Sequence, residues 1–348
     1  MAEPPIHDYQ IADSDGVDGI VFALSSRFHL GDEGEKVVRR TYYDTFDWRL
    51  YQAGAVFYEE KSSSGHWLVW RYLEAGRAKE MQRLDGKVPR YAGEFAPGLM
   101  RELVTPEISM RVLLPQVEVR SCVRLLIQYD QEEKTVLRVA LEEHEARPPN
   151  KGKYAPLEAT AQVVPIRGYP KPFERMSACL SSELKMQPLE REQMEAALAA
   201  IGRKPLDYSS KLNFKLQPQS RADAVARLIH LHLLAIMEVN LPGTRADLDS
   251  EFLHDFRVAV RRARSALTQV KEVFPREVLE RYKEGFAWVG GVTGPTRDMD
   301  VYLLGYEDYR DSLQQQFRGS LEPLHHFLQI HQKSEHQAMV RKLNSPHF

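Results

Sequence analysis

The stretch LHDFRVAVRRARSAL, residues 253–267, sets one histidine and four arginines among regularly spaced apolar residues. The apolar residues recur at spacings of three and four, which is the period of one face of an α-helix. They are Leu253, Phe256, Val260, Ala263, Leu267 and Val270. The spacing predicts a helix that buries this face, and Asp249 and Ser250 are good N-cap residues at its start.

A second stripe lies one position, or about 100°, further around the same helix. It consists of His254, Arg257, Arg261, Arg264, Thr268 and Lys271. Like charges at these spacings repel each other by roughly a few tenths of a kcal/mol per pair, and the stripe contains no acid. Guanidinium groups match phosphate oxygens, so such a row suits a repeating polyanion. The alternatives are a solvated helix face and pairing with acids on neighbouring helices.

The overall composition does not explain this row of cations. The 348 residues include 47 Lys and Arg against 49 Asp and Glu, for a formal net charge of −2. An anion site must therefore be a local concentration of charge, and nucleic acid is a disfavoured partner. Cys122 and Cys179 form no CxxC pattern, which argues against a disulfide scaffold or a zinc site and suits the cytoplasm. The most apolar stretch, 228–239, is too short and too polar to predict a membrane span.

The hydrophobic period changes near residue 220, which predicts two domains. Before that point, alternating runs predict strands over 36–43, 54–61, 66–73, 116–130, 134–146 and 155–165, then helices over 174–186 and 191–202. After it, a period of 3.6 predicts helices over 221–243, 249–270, 275–291, 296–317 and 323–343. The predicted fold class is α+β multidomain, with a β-rich domain over 1–203, a linker over 204–220 and a helical bundle over 221–348.

The segment GGVTGPTRDMDV, residues 290–301, is the other dense stretch. Its two leading glycines predict the end of one helix. Asp298 and Asp300 would then complement the dipole of the next helix at its start. Arg297 is a candidate for a further phosphate-contacting cation.

HDFRVAVRRARSAL, followed about thirty residues later by GPTRDMDV, resembles the CHAD domain, the conserved-histidine α-helical domain. That family is helical and basic on one surface, and it is associated with inorganic polyphosphate. The resemblance implies polyphosphate contacts for the basic residues of both segments, and we add Lys271 from the stripe. The set is His254, Arg257, Arg261, Arg262, Arg264, Lys271 and Arg297. The family domain consists of two similar helical halves, and the resemblance covers about the first half.

The first half of the chain resembles the CYTH domain of the triphosphate tunnel metalloenzymes. The segments that carry this resemblance are VVRRTYYDTFDWRLYQAGAVFYEE (37–60) and SSKLNFKL (209–216), the latter as a closing segment. The resemblance implies a closed antiparallel β-tunnel or barrel with flanking helices, basic inside and able to hold Mg²⁺. The candidate anion-binding residues of this tunnel are Arg40, Arg71, Arg120, Arg124, Arg138 and Lys211. Glu118 and Glu142 would share the lumen with them.

The sequence departs from the CYTH pattern where catalysis needs it. IHDYQIA (6–12) stands in place of a Glu-x-Glu-x-Lys strand, and Tyr58, Glu59 and Glu60 stand in place of an Arg-x-Arg strand. PLEATAQVV (156–164) keeps Glu158 alone of the alternating glutamates. Magnesium that bridges a triphosphate needs convergent carboxylates. We therefore expect a degenerate, non-catalytic tunnel.

The leading hypothesis from the sequence is a cytoplasmic polyphosphate-binding protein, associated with polyphosphate granules, in which the helical domain holds the anion. One alternative is a metal-dependent triphosphatase or phosphoryl-transfer enzyme of the CYTH type, with Mg²⁺ as its cofactor. A second alternative is a scaffold whose helices bind other proteins. The sequence leaves the oligomeric state open.

Overall fold

The computed structural model describes residues 7–12, 16–74, 79–149, 151–189, 191–270 and 272–348. The chain divides into two compact units, and the boundary lies between Tyr208 and Ser209. This boundary falls inside the segment 204–220 that the sequence suggests as a linker.

The first unit is built on one antiparallel sheet. Its strands are β1 (His7–Gln10), β2 (Leu30–Asp44), β3 (Ala55–Ser62), β4 (Gly65–Tyr72), β5 (Glu80–Arg83), β6 (Leu114–Tyr129), β7 (Thr135–Arg147), β8 (Ala155–Pro156), β9 (Thr160–Pro165) and β10 (Gln187–Pro188). The order across the sheet is β10-β1-β9-β7-β6-β2-β3-β4-β5, and β8 pairs with β7. The strands predicted over 54–61 and 66–73 form the hairpin β3–β4, in which Ser62 pairs with Gly65.

The sheet is tunnel-like but not closed. Its outermost strands are β5 and β10, and no pairing joins them in the described residues. The expectation of a closed tunnel is therefore wrong. The fold class is confirmed: an antiparallel sheet with flanking helices precedes a helical region.

The α-helices that accompany the sheet in the described residues are α1 (Gly16–Ser25), α2 (Arg49–Gln52), α3 (Leu99–Ile108), α4 (Pro170–Ala178) and α5 (Gln193–Ala200). Helices α1 and α4 pack against Leu126, Leu137 and Val139 on one face of the sheet. Helix α5 covers the opposite face, where Met194 and Leu198 contact the same cluster as Val119. We call the face covered by α5 the inner face and the other the outer face.

The second unit contains the helices α6 (Ala222–Arg245), α7 (Ser250–Gln269), α8 (Arg276–Leu304), α9 (Tyr306–Ser312), α10 (Gln315–Arg318) and α11 (Glu322–Leu343). Helix α7 packs against α6 and α8 through a shared apolar cluster that includes Leu233, Phe256 and Val289. A second cluster joins α7, α8 and α11 through Leu253, Val292 and Met339.

The largest difference from the sequence prediction is α8. The glycines at 290 and 291 do not end a helix, and α8 runs through Pro295 to Leu304. Asp298 and Asp300 therefore lie inside a helix instead of at its start. Pro295 has no N–H for the carbonyl four residues earlier. We attribute the continuity of α8 to packing on both sides of this point, where Val292, Thr293 and Thr296 are buried.

Helix α6 is long and apolar enough to cross a membrane by length and composition alone, with a mean hydropathy of 1.4 over its best window. The same helix buries Leu233, Ile236 and Met237 in the cluster that it shares with α7. Core helices of folded domains meet the same criterion.

Candidate anion-binding surface

Helix α7 begins at the predicted cap. The Asp249 carboxylate accepts hydrogen bonds from the backbone N–H groups of Glu251 and Phe252, at 3.0 and 3.2 Å. The predicted apolar stripe is buried as far as Leu267, whereas Val270 is 38% exposed at the end of the helix. The neighbouring stripe of cations therefore runs along the edge of the buried face.

In the described residues, Arg257 is held by a carbonyl and a hydroxyl and has no ion-paired carboxylate. Its guanidinium donates to the carbonyl of Gly290 at 2.9 Å and to the Thr293 hydroxyl at 2.7 Å. Burial lowers the pKa of Arg257, Asp298 acts against this shift, and Arg297 and Arg261 add to it. An arginine still carries its charge at neutral pH, so this half-buried cation adds a positive field that its hydrogen-bond partners do not cancel.

Arg297 reaches back from α8 to the start of α7. Its guanidinium donates to Nδ1 of His254 at 3.0 Å and to the carbonyl of Ser250 at 3.1 Å. An arginine always donates, so Nδ1 of His254 is the acceptor and the neutral ring carries its proton on Nε2. The Glu251 carboxylate lies 3.8 Å from the Arg297 guanidinium.

The remaining arginines of α7 are exposed. Arg261 and Arg264 have neither a hydrogen bond nor an ion pair in the part of the chain that the structure describes. Arg262 points elsewhere and donates to the carbonyl of Ser210 at 2.7 Å. Lys271, also predicted for this surface, lies outside the described residues. The structure thus brings His254, Arg257 and Arg297 together, with Arg261 and Arg264 further along the same helix.

Sequence reasoning missed Lys283. It lies on α8, two seven-residue steps before Arg297, and a seven-residue step returns to nearly the same face of a helix. The expected helix end at 290–291 hid this relation, because it placed Lys283 and Arg297 on different helices. Only the continuity of α8 puts both cations on one face.

The inner face of the first unit carries a buried ion-pair network around Arg40. Its guanidinium contacts the carboxylates of Glu60 and Glu142 at 2.9 and 3.1 Å and the Ser121 hydroxyl at 3.1 Å. Burial opposes the charge, but Glu142 and its other neighbours hold the pKa of Arg40 above its ordinary value. Burial would likewise raise the pKa of Glu142, but the Arg40 guanidinium holds it below its ordinary value.

The start of α5 supplies further partners to the inner face. Arg71 forms a two-pronged ion pair with Glu192, the residue before α5. Gln193 accepts from the Tyr42 hydroxyl at 2.7 Å and lies 3.4 Å from the Arg40 guanidinium. Arg40 and Arg71, two of the predicted lumen cations, are thus already paired on this face. Glu192 and Gln193 carried no local sequence signal for this role.

The other predicted tunnel cations do not meet them. Paired residues on neighbouring strands share a face and successive residues alternate, and Val119 pairs with both Arg40 and Ala146. Arg120 and Arg124 therefore lie on the outer face, where Glu145 and Asp32 pair with them. The prediction that both point into a lumen is wrong.

Arg138 and Lys211 stand apart from this network as well. Arg138 pairs in register with Val164, on the inner face, but is exposed near the end of β7. Lys211 is exposed in the second unit, and residues 209–216 form no strand. The expected closing segment of the tunnel is therefore not a strand. Glu118 also belongs to the outer face, where Arg147 pairs with it at 2.6 Å.

The described residues contain no group of three or more His, Cys, Asp or Glu side chains arranged to hold a metal ion. On the inner face, Glu60 and Glu142 are engaged by Arg40, and Glu192 is engaged by Arg71. Burial lowers the pKa of His144 to about 4, which leaves its ring neutral at pH 7. These glutamates are held by arginines and belong to no three-ligand group that could hold Mg²⁺ in the described residues.

Solved structures similar to this chain cover its first part. A putative adenylate cyclase from Bacillus halodurans matches with 12% identity and a TM-score of 0.38, over 56% of this chain and 96% of that one. A putative adenylyl cyclase from Hippeastrum, described as having a dominant triphosphatase activity, matches with 14% identity and a TM-score of 0.36, over 59% of this chain and 100% of that one. A search of curated proteins finds no significant match. Residues 229–348, which make up most of the helical unit, match the CHAD domain model.

Proposed function

We propose that this protein binds inorganic polyphosphate on the surface formed by α7 and the adjoining part of α8. The observation that carries the proposal is the pairing of the cations. Arg257, Arg261 and Arg264 have no carboxylate within ion-pair distance in the described residues, although acids are as frequent as bases in the chain. A purely structural helix would neutralise such a row.

The same surface offers two kinds of donor to phosphate oxygens. Arginines can bind them with forked pairs of N–H groups. The Nε2–H of His254 is left for an anion, because Arg297 occupies Nδ1. A polyanion that neutralises several of these cations at once releases its counterions, so binding weakens steeply as salt rises.

We propose further that the first unit is not catalytic. A triphosphate requires cations that are free to neutralise it, whereas Arg40 and Arg71 are engaged by Glu60, Glu142 and Glu192. The carboxylates of the described residues do not form a site that fits Mg²⁺.

The test is calorimetric titration of the full chain with long-chain polyphosphate at matched salt. We expect saturable binding that is lost when Arg257 and Arg261 are both changed to alanine. The matched control is Arg276→Ala with Arg281→Ala, which removes two cations from the early part of α8 and should leave affinity unchanged. Equal losses in both double variants would reduce the effect to general electrostatics and contradict the proposal.

The competing functions predict different results in the same experiment. A triphosphatase would turn over tripolyphosphate when magnesium is added, and turnover would be lost in Arg40→Met. A protein scaffold would bind an acidic peptide such as poly-glutamate as tightly as polyphosphate at equal charge. We expect neither outcome, because planar guanidinium groups favour the phosphate geometry.

A further inference from the structure

We propose that the polyphosphate-binding surface is a trough between α7 and α8, that Lys283 forms its far end, and that Gly290 and Gly294 keep it open to an unbranched chain. This inference rests on the proposed function and extends it, since it assigns a new binding residue and a basis for selectivity.

The contacts between the two helices fix their relative register. Arg297 contacts His254, and Arg257 contacts Gly290 and Thr293. The two helices therefore run antiparallel to each other. Continuing the same antiparallel register places residue 264 opposite residues 283–287 of α8, so Lys283 lies within about one helical turn of the position that faces Arg264. Phe286 and Val289 of α8 pack into the cluster that contains Val260 and Ala263, which agrees with this register.

The trough therefore has cations on both sides. Helix α7 contributes His254, Arg257, Arg261 and Arg264 on one side, and α8 contributes Lys283 and Arg297 on the other. Lys283 and Arg297 are 14 residues apart, or about 21 Å along the helix axis. Lys283 has no ion pair in the described part of the chain. Only a ligand that extends along the trough can reach both ends.

Between Lys283 and Arg297, the α8 side of the trough lacks side chains at two positions. A Cβ atom added at Gly290 would meet no atom within 4 Å, and one at Gly294 would meet only the Arg257 guanidinium at 3.7 Å. These positions lie four residues apart, on the side of α8 that Arg257 contacts. A chain of phosphates has no side groups and can lie in this gap, whereas the sugars and bases of a nucleic acid need more width.

The first test compares Lys283→Ala with Arg281→Ala in the full chain. Both variants remove one positive charge from α8, but residue 281 lies about 200° around the helix from residue 283. We expect Lys283→Ala to weaken long-chain polyphosphate binding roughly three- to tenfold and to lower the salt slope by about one. Tripolyphosphate should bind equally to both variants, because it is too short to span from Arg297 to Lys283.

The second test fills the gap. Leucine forms helix better than glycine, so Gly290→Leu should fold at least as well as the wild type. We expect it to weaken long-chain binding at least tenfold. The control Gly285→Leu adds the same side chain about 140° away on α8, at a position that also has open space, and should bind as the wild type does.

The outcomes separate this inference from the proposed function. One outcome is that the wild type binds polyphosphate while Lys283→Ala binds it with the same affinity as Arg281→Ala, or Gly290→Leu with the same affinity as Gly285→Leu. Either result would contradict the trough and leave the proposed binding surface on α7 in place. Binding of single-stranded DNA as tight as that of polyphosphate at equal charge and salt would overturn the selectivity. If the wild type binds no polyphosphate, the proposed function fails and the trough fails with it.

Discussion

Arg40 shows why the first unit depends on its internal charges. The side chains of Arg40, Glu60 and Glu142 are 15%, 15% and 11% exposed, so each relies on the others for its solvation. Removing one partner of a buried ion pair leaves an uncompensated charge. We predict that Arg40→Met, which keeps the apolar stem, lowers the free energy of unfolding by about 3–5 kcal/mol, as measured by urea denaturation.

The matched control for this prediction is Arg276→Met. Arg276 pairs with Glu280, but its side chain is 88% exposed. Solvent screens such pairs, and we expect no measurable change in the urea midpoint. Equal effects of the two substitutions would show that the Arg40 network is not a buried charge cluster.

Asp300 makes the stability of the second unit depend on pH. Burial raises the pKa of Asp300 to about 6, Gln332 acts against this by hydrogen bonding, and Asp247 adds to it. The folded state therefore holds the proton more tightly than the unfolded chain does. The stabilisation is complete below about pH 4 and is lost as the pH rises through about 6.

We predict that Asp300→Asn removes this loss of stability. The variant should match the wild type near pH 4 and be more stable by about 2–3 kcal/mol at pH 7, from a shift of about two pKa units. Urea denaturation at both pH values measures the difference. Asp298→Asn, at an exposed position on the same helix, is the control. A wild-type protein whose stability rises from pH 4 to pH 7 relative to Asp300→Asn would contradict the sign.

At the scale of elements, the sequence predicts those helix ends and strand faces that depend on interactions between residues close in the chain. Helix α7 begins at its expected cap, because the Asp249 carboxylate acts on its own first turn. The helix end expected at Gly290 was wrong. The burial of Val292 and Thr293 stabilises α8 by more than the glycines at this point weaken it. Strand β6 was assigned the wrong polar face, since helices cover both faces of the sheet and alternation alone does not identify the inner one.

Helix packing also gives opposite expectations for two glycines. A Cβ atom at Gly243 of α6 would overlap the ring of Phe252 on α7, whereas one at Gly291 of α8 would meet nothing within 4 Å. We predict that Gly243→Ala destabilises the protein by about 1–3 kcal/mol through overpacking. Gly291→Ala should stabilise it by up to about 1 kcal/mol through helix propensity.

Thermal unfolding measures both changes, and each variant serves as the control for the other. A stabilising Gly243→Ala would mean that α6 and α7 do not approach each other as closely as the structure shows. A destabilising Gly291→Ala would mean that α8 is not helical through this region.

At the scale of the molecule, the net charge of −2 does not show that the arginines of the two units differ in their ion pairing. In the first unit, Arg40 and Arg71 on the inner face are engaged by internal ion pairs. On α7, Arg257, Arg261 and Arg264 have no carboxylate within ion-pair distance in the described residues. Sequence composition cannot distinguish these two states, because pairing depends on which strands and helices become neighbours. Only the fold shows which arginines remain available for an anion.

The two compact units allow the binding surface to be located without isolating either one. We predict that polyphosphate at about 100 times its dissociation constant stabilises the folded state by about 2.7 kcal/mol, and that calorimetry finds this only in the transition of the helical unit. Gly243→Ala identifies that transition by lowering it, and Arg40→Met identifies the other. If polyphosphate instead raises the transition that Arg40→Met lowers, the anion binds the sheet domain, and the function assigned to α7 and α8 is wrong.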